Sequence, residues 1–174
     1  MITPWKKIKE KVAYNGYRKI YKTTFKMPDG LNADFDLKKE SRAVCVLALT
    51  LDQRVILTKQ FRPGLSKILM ELPGGTANKN ETPGQAIKRE LLEETGYTGK
   101  FKFVTTSYNC GYSSRVKYNF VASDCKKIQK AKTDKHEFIE VNLMNLKNFK
   151  KHLAGGQLTD VETGYLGLNF LKLL

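Results

Sequence analysis

Three glutamates crowd one short stretch of a chain that is otherwise strongly basic. Glu90, Glu93 and Glu94 lie within five positions, just before Gly96, although the chain carries 31 basic and only 17 acidic residues. In a helix, residues three and four apart share one face, where like charges repel and destabilise it. A concentration of carboxylates at the expense of helix stability is typical of a site for divalent metal ions.

The ordinary alternative is a solvated acidic face, which is common on helices. Two features favour a metal site. Ile87 and Leu91 flank the glutamates, which places them at the border of the core, and Gly74-Gly75 would bring backbone carbonyls close to the helix. Carboxylate and carbonyl oxygens suit Mg²⁺ or Mn²⁺. Such ions neutralise phosphate charge and activate water, which predicts a phosphate-bearing substrate.

The composition fits one compact domain with room for a small appendage. The chain has 174 residues, of which 41% are hydrophobic, enough to bury a core. No apolar run approaches the ~20 residues of a membrane span, and the N-terminus lacks the apolar core of a signal peptide. Three cysteines without paired spacing predict reduced thiols in a cytoplasmic protein. Two histidines and no Cys-x-x-Cys motif argue against zinc.

The net charge of +14 is consistent with a polyanionic partner. Because the lysines are spread along the chain, without one arginine-rich block, solubility explains the charge equally well. A positive field that attracts small phosphorylated substrates would also explain the net charge. Nucleic acid is therefore a possible partner but is not favoured, and no membrane partner is expected.

The glutamates are expected to lie on a helix over 83–95. Thr82 is a suitable N-cap, Pro83 occupies the favoured first position, and Gln85 completes a capping box. Gly96 supplies the C-terminal stop, because glycine adopts the left-handed conformation without strain.

The remaining segments alternate between strand and helix signals. Residues 17–37 predict a β-hairpin, because Ala33, Phe35 and Leu37 alternate with polar residues and Pro28-Asp29-Gly30 supplies a turn. An isolated hairpin is marginal in water, so it must pack on the main body or on a second subunit. The whole pattern predicts an α/β fold with a mixed sheet covered on two faces. Further strands are expected over 43–51 (buried on both faces), 54–61, 68–72, 101–107, 116–122 and 138–141, and further helices over 146–153 and after a cap at Asp160.

The pattern around the acidic helix consists of residues at fixed spacing: Gly75, Glu81, Arg89-Glu90-Leu91, Glu93-Glu94, Gly96 and Tyr97. This spacing resembles the Nudix box of the Nudix hydrolases. Arg89 matches the box arginine, which usually fixes Glu81 or a glutamate of the helix, so the resemblance implies a structural role. It also implies a Nudix-type α/β/α sandwich with a mixed sheet over 40–174, and an N-terminal β extension over 1–39 as a possible dimerisation element.

The resemblance further implies a reaction and roles for the glutamates. Nudix hydrolases cleave a nucleoside diphosphate linked to another group, with Mg²⁺ or Mn²⁺ as cofactor. Carried over by position, Glu90 and Glu94 are the main metal ligands, and the carbonyl of Gly74 is a further ligand. Glu93 would act as a ligand or as a catalytic helper through water.

A narrower resemblance is to the ADP-ribose pyrophosphatase branch of this family. It implies hydrolysis of ADP-ribose or a similar nucleoside diphosphate sugar to a nucleoside monophosphate and a sugar phosphate. It also implies a homodimer whose N-terminal strands exchange between subunits, Arg62 as a ligand of substrate phosphate, and Glu71 as a helper at the metals or an anchor of the loop. The matching stretches are Lys59-Gln60-Phe61-Arg62-Pro63, Glu71-Leu72-Pro73-Gly74-Gly75 and Glu94-Thr95-Gly96-Tyr97.

In this branch a glutamate on a late loop often serves as base or extra ligand. Glu137 is the matching residue, with Asp134 and Glu71 as alternatives. The segment after the box departs from the branch: Asn109-Cys110-Gly111-Tyr112 replaces the usual Ser-Pro-Gly before an aromatic, and Arg115 stands where an acidic residue is common. Tyr108 or Tyr112 could stack on a substrate base, and Tyr112 is the residue assigned here.

These departures leave two other functions open. One keeps the chemistry but acts on a dinucleotide, an oxidised nucleotide or a capped RNA end. The other is a Nudix-fold module that senses a nucleotide or binds nucleic acid without turnover. Non-catalytic relatives usually lose box glutamates, and this box is complete, which favours an enzyme.

Overall fold

The computed structural model describes residues 2–132 and 138–174. The chain folds into two units, each with its own set of internal contacts. The N-terminal unit comprises residues 1–41 and 108–116, and the main unit comprises residues 42–107 and 117–174.

The N-terminal unit is built on a three-stranded antiparallel sheet. Its strands are β1 (Lys6–Asn15), β2 (Lys19–Lys26) and β3 (Asn32–Lys39), in the spatial order β1-β2-β3. The hairpin predicted over 17–37 corresponds to β2 and β3, whereas β1 is an additional strand. The sequence of β1, KKIKEKVAYN, is exposed along nearly its whole length, so no buried face with period two marks it as a strand.

The main unit is a sandwich of a mixed sheet and three helices among the described residues. Its elements are β4 (Ala43–Thr50), β5 (Arg54–Arg62), β6 (Lys67–Glu71), β7 (Gly74–Thr76), α1 (Pro83–Thr95), β8 (Tyr97–Tyr108), β9 (Val116–Lys127), β10 (Glu140–Asn145), α2 (Leu146–Ala154) and α3 (Val161–Phe170). β4 pairs in parallel with β9 and antiparallel with β5 and β7, which confirms the predicted mixed sheet. The central strand order is β10-β5-β4-β9-β8, with β6 beside β5.

Two apolar clusters cover the two faces of β4, which is buried along its whole length. Val46 packs in a cluster with Ile87 and Leu91 of α1. Leu47 packs in the other cluster, with Phe149 of α2 and with α3. Alternate side chains of a strand point to opposite faces, so the nearly continuous apolar run serves both helix layers, as predicted.

The acidic helix has the predicted bounds and caps. Thr82 and Gln85 form a reciprocal capping box, and Gly96 ends the helix in the left-handed conformation with φ of 78°. These signals lie within a few residues of one another along the chain, which is why sequence suffices to predict them. None of the helices in the described part of the chain has the length and apolar character needed to cross a membrane.

Two expectations about other elements are corrected. β9 continues to Lys127, beyond the end expected at residue 122, because the exposed lysines at its end carry no apolar signal. Asp160 precedes α3 but makes no capping hydrogen bond with its side chain. Its carboxylate binds Lys117 instead.

Candidate functional site

The loop at the start of β7 lies directly against the acidic face of α1. The N–H of Gly74 donates a hydrogen bond to Oε2 of Glu94 at 3.0 Å. A Cβ atom on Gly75 would stand 2.3 Å from Oε1 of Glu90, and one on Gly74 would stand 2.3 Å from the carbonyl oxygen of Val44. A side chain at position 74 would collide with the backbone of β4, and one at position 75 would displace the Glu90 carboxylate, so the Gly-Gly pair allows the close approach of backbone and carboxylates.

The glutamates next to this loop are not a solvated face. Glu94 is 6% exposed, and the side chain of Glu90 is 14% exposed. Ile87 and Leu91, on the neighbouring positions of α1, are fully buried. Burial of a carboxylate is costly unless hydrogen bonds or positive charge compensate it. The arrangement therefore matches the expectation that this face borders the core.

Arg89 ties the loop before α1 to the glutamates of the helix. Its Nε and Nη2 donate to the two carboxylate oxygens of Glu81, both at 2.9 Å, and its Nη1 lies 2.9 Å from Glu93 and 3.0 Å from Glu90. The guanidinium holds the pKa of Glu81 below its ordinary value, and Glu81 in turn raises the pKa of Arg89. This confirms the structural role expected for Arg89.

The donor set at this place fits a hard divalent cation. Among the described residues, no three acidic, histidine or cysteine side chains form a ready-made metal cluster. Arg89 contacts both Glu90 and Glu93, but the side chain of Glu93 is 45% exposed, whereas that of Glu90 is 14% exposed and lies against the Gly75 backbone. A cation would therefore draw on Glu90, Glu94, the nearby Gly74 backbone and oxygens of substrate or water. A few carboxylates completed by phosphate oxygens and water are the ligands that Mg²⁺ ordinarily takes in proteins.

Arg62 and Glu71 form an ion pair between β5 and β6. Glu71 is fully buried and accepts a hydrogen bond from Nε of Arg62. Its other oxygen accepts from the hydroxyl of Thr159 and from the Thr159 N–H, the latter at 3.2 Å. Of the two roles considered for Glu71, these contacts favour the anchor. The side chain of Arg62 stays 38% exposed, so a fixed guanidinium still reaches solvent.

The segment that departs from the branch pattern is integrated in the N-terminal unit. Tyr112 stacks on Phe35 of β3, with ring centroids 6.5 Å apart, and is 60% exposed. Arg115 lies 3.3 Å from the Glu40 carboxylate, which also accepts a hydrogen bond from Ser113 at 2.7 Å. The arginine that replaces an acidic residue therefore has a structural partner within its own unit.

The residues considered for the base lie partly outside the described chain. Glu137 and Asp134 both fall between the described stretches, as does His136. Their role as base or extra ligand stays a prediction from the sequence. Glu71 is the one alternative that the structure describes, and its carboxylate is engaged by Arg62 and Thr159.

Sequence reasoning missed a buried polar network between β9 and α3. Nζ of Lys117 lies 2.5 Å from Asp160 and 2.7 Å from Glu162, although Lys117 is only 8% exposed. Burial acts to lower the pKa of Lys117, but the two carboxylates outweigh it and raise the pKa above its ordinary value. Beside it, the hydroxyl of Thr163 donates to the buried Asn119 at 2.6 Å. No local motif could have predicted this network, because its partners are far apart in sequence.

Comparison with known proteins gives a consistent result. The model of the NUDIX domain family matches residues 39–160. An ADP-ribose pyrophosphatase of Bacillus subtilis is 32% identical over 157 residues, which cover 88% of this chain and 84% of the relative. A methanol dehydrogenase activator of Bacillus methanolicus is 26% identical over 84% of this chain and 80% of its own length.

Two further similarities concern part of the chain and the fold. An ADP-sugar pyrophosphatase of Mus musculus is 34% identical over 102 residues, which cover 52% of this chain and 47% of the relative. A crystal structure described as an ADP compounds hydrolase superposes with a TM-score of 0.84 over 99% of this chain and 96% of that one, at 17% identity. At that identity the superposition speaks for the fold alone.

Proposed function

Because the chain belongs to the NUDIX domain family and is a Nudix pyrophosphohydrolase, we propose that it hydrolyses ADP-ribose or a similar nucleoside diphosphate sugar. The products would be a nucleoside monophosphate and a sugar phosphate. The similarity to an ADP-ribose pyrophosphatase over most of the chain supports this substrate class, as does the partial similarity to an ADP-sugar pyrophosphatase.

One observation carries the proposal: the Gly74–Gly75 backbone lies against the buried carboxylates of Glu90 and Glu94. We assign Glu90, Glu94 and the Gly74 carbonyl to the binding of Mg²⁺ or Mn²⁺. When bound, the cation supplies Lewis acidity, which offsets the charge of the pyrophosphate and makes water a better nucleophile.

The other residues of the chain bind the substrate and handle the proton. Arg62, held by Glu71, would bind phosphate oxygens of the substrate, because a guanidinium matches phosphate geometry with two parallel donors. Tyr112 would stack on the base. Glu137 would take the proton of the attacking water, and Glu93 would assist through a second water. Arg89 keeps the helix and the preceding loop in register.

A substrate panel tests the proposal. The purified protein would be incubated with Mg²⁺ and ADP-ribose, other nucleoside diphosphate sugars, dinucleoside polyphosphates, nucleoside triphosphates or capped RNA, and phosphorylated products would be identified. We expect the highest kcat/KM on a nucleoside diphosphate sugar, with AMP and ribose 5-phosphate released from ADP-ribose. A preference for dinucleotides or capped RNA would contradict the substrate assignment. Turnover of none of them would support a binding module.

Gly75→Ala should impair metal binding without unfolding the protein. The added Cβ would stand 2.3 Å from the Glu90 carboxylate, the mobile end of a side chain, so the carboxylate must move while the backbone can stay. We expect the rise in melting temperature caused by Mg²⁺ to disappear and kcat/KM to fall about 100-fold or more. Gly84→Ala, where a Cβ meets nothing within 4 Å, is the matched control. Equal Mg²⁺ responses in both variants would exclude Glu90 as a ligand.

We further propose that residues 1–39 join two copies of the 40–174 hydrolase domain in a homodimer. An aromatic cluster on one face of the N-terminal sheet supports this. The ring centroids of Trp5 and Phe35 lie 5.6 Å apart, yet Trp5 stays 44% exposed. Sedimentation equilibrium should give twice the monomer mass of 19.8 kDa, and Trp5→Ser should weaken the dimer. A monomeric wild type would refute the proposal.

A cytoplasmic location is also proposed. All three cysteines are free thiols, which are typical of a reducing compartment. Fractionation of cells expressing the tagged protein would test the location, and recovery with a membrane or secreted fraction would contradict it.

A further inference from the structure

Five exposed lysines occupy one face of the N-terminal sheet. Strand register places Lys6 directly opposite Lys26, Lys9 opposite Thr24, and Lys11 opposite Lys22. Directly opposed residues of an antiparallel pair project to the same side of the sheet. These residues therefore form a single basic surface, here called the lysine face. Its members are Lys6, Lys9, Lys11, Lys22 and Lys26, all exposed.

The lysine face is electrostatically unfavourable for the sheet itself. Like charges directly opposite each other on neighbouring strands destabilise the pair, and the register creates two such pairs. Within the described residues, two carboxylates of β3 lie on the same side of the sheet. Asp34 forms a salt bridge with Lys22 at 3.1 Å, and Asp36 stands directly opposite Lys22. The five lysines still outnumber these carboxylates. Over residues 6–26 the chain carries eight basic residues and one acidic residue. This concentration points to an anionic partner that would supply the missing negative charge.

Protection of a sheet edge explains only part of the pattern. Lysines on an edge strand hinder pairing with another chain, and β1 is an edge strand. Lys22 and Lys26, however, lie on β2, which is paired on both sides and has no edge to protect. Solubility likewise needs exposed charge, but it does not need like charges placed opposite each other.

Exposed aromatic rings stand at the end of the lysine face. Tyr14 is opposite Ile20 in the register, on the same side as Lys11, and is 60% exposed. Tyr17, in the turn between β1 and β2, is 98% exposed, with the guanidinium of Arg18 5.5 Å from its ring centroid. Positive charge along a strand with accessible rings at its end is the combination that binds single-stranded nucleic acid, where bases stack on aromatic side chains.

We propose that the lysine face binds single-stranded nucleic acid, with phosphates on the lysines and a base stacked on Tyr14 or Tyr17. The exposed rings support this partner, because the unpaired bases of a single strand stack on aromatic side chains. None of the residues of the lysine face is among those assigned to hydrolysis, so loss of nucleic-acid binding should leave turnover of ADP-ribose unchanged.

Fluorescence anisotropy of a short labelled single-stranded RNA, and of the corresponding DNA, tests the proposal with the full-length protein at increasing KCl. Each phosphate neutralised on a single strand contributes about −0.7 to the slope of log Kobs against log salt, so four to five contacts predict a slope of about −3. No binding of either strand at physiological salt would overturn the proposal. Tighter binding to phosphatidylserine vesicles than to both strands would also overturn it, in favour of a membrane surface.

Matched charge variants separate the lysine face from the overall charge. The first variant replaces three lysines of the face, Lys9→Gln/Lys11→Gln/Lys26→Gln. It should weaken binding about tenfold or more and make the slope of log Kobs against log salt less steep by about 2. Lys102→Gln/Lys126→Gln/Lys127→Gln removes the same charge from exposed positions of the main unit and should change affinity less than about twofold. Equal losses in the two variants would refute a specific face. Circular dichroism and hydrolysis of ADP-ribose should match wild type in both.

The tyrosines are tested separately because stacking is not an effect of charge. Tyr17→Ala should weaken binding roughly tenfold without changing the salt slope. With a side chain 98% exposed, this residue can be truncated without disturbing the fold. If Tyr17→Ala and Tyr14→Ala both bind like wild type, the stacking part of the proposal is wrong.

Discussion

Replacing Glu94 with glutamine will lower kcat on ADP-ribose about 1000-fold, because the variant lacks one of the negative charges proposed to bind the cation, an effect of several kcal/mol on the barrier. The fold should survive this change. Glutamine keeps an oxygen that can accept the hydrogen bond from the Gly74 N–H, the contact that Glu94 makes at 3.0 Å. The free energy of unfolding measured with urea should therefore change by less than about 1 kcal/mol.

Glu93→Gln is the control for this experiment. The side chain of Glu93 is 45% exposed, against 14% for Glu90, and it binds Arg89. Its loss should lower kcat less than the loss of Glu94. Calorimetric titration with Mn²⁺ gives a readout independent of turnover, and Glu94→Gln should weaken binding strongly. If this variant hydrolyses ADP-ribose and binds Mn²⁺ like wild type, the assignment of the metal site is wrong.

Replacing Lys117 with methionine will destabilise the protein by roughly 3 kcal/mol. This is the largest loss of stability that we expect from the removal of a single buried charge. The ammonium group lies between Asp160 and Glu162, and its removal leaves a largely buried carboxylate without compensation. Methionine fills a similar volume, so the loss reports on charge and not on a cavity. Urea unfolding at neutral pH measures the effect.

The direction of the Lys117 pKa shift explains why unfolding is measured at neutral pH. The pKa of Lys117 is raised in the folded protein, so its contribution to stability is complete below the unfolded pKa of about 10.4. The contribution is lost as the pH rises from there through the folded pKa. At neutral pH the full effect is therefore present.

Two variants control for the Lys117 experiment. Lys126→Met changes an exposed lysine of the same strand and should alter stability by less than about 0.5 kcal/mol. Lys117→Met/Asp160→Asn removes the carboxylate that the single variant leaves uncompensated, and should recover part of the loss. A double variant that is less stable than Lys117→Met would show that Asp160 stabilises the fold by contacts other than this ion pair.

Local signals explain which parts of the fold could be predicted. Helix α1 begins and ends where expected, because its capping box joins residues three apart and Gly96 ends the helix at its own position. β4 was predicted as a doubly buried strand, because a continuous apolar run is needed wherever both faces of a strand are covered. β1 was not predicted, because a strand exposed on both faces has no hydrophobic period.

Local sequence likewise predicts only part of the candidate site. The sequence alone determined that Glu90, Glu93 and Glu94 share a helix, since fixed spacing on a helix dictates a common face. The tertiary structure decided that the backbone of Gly74 and Gly75 lies on the carboxylates of Glu94 and Glu90, and that Arg89 contacts Glu93 as well as Glu90.

Contacts between distant parts of the chain were decided only by folding. Glu71 meets Thr159 across 88 residues of sequence, and Lys117 meets Asp160 across 43. The opposed lysines of β1 and β2 likewise depend on strand register, which two bulges in β1 shift along the way. Composition and spacing predict chemistry that adjacent residues perform together. Tertiary packing determines which distant residues join a site, because a buried charge is tolerated only where folding places a partner of opposite charge or a hydrogen-bonding group beside it.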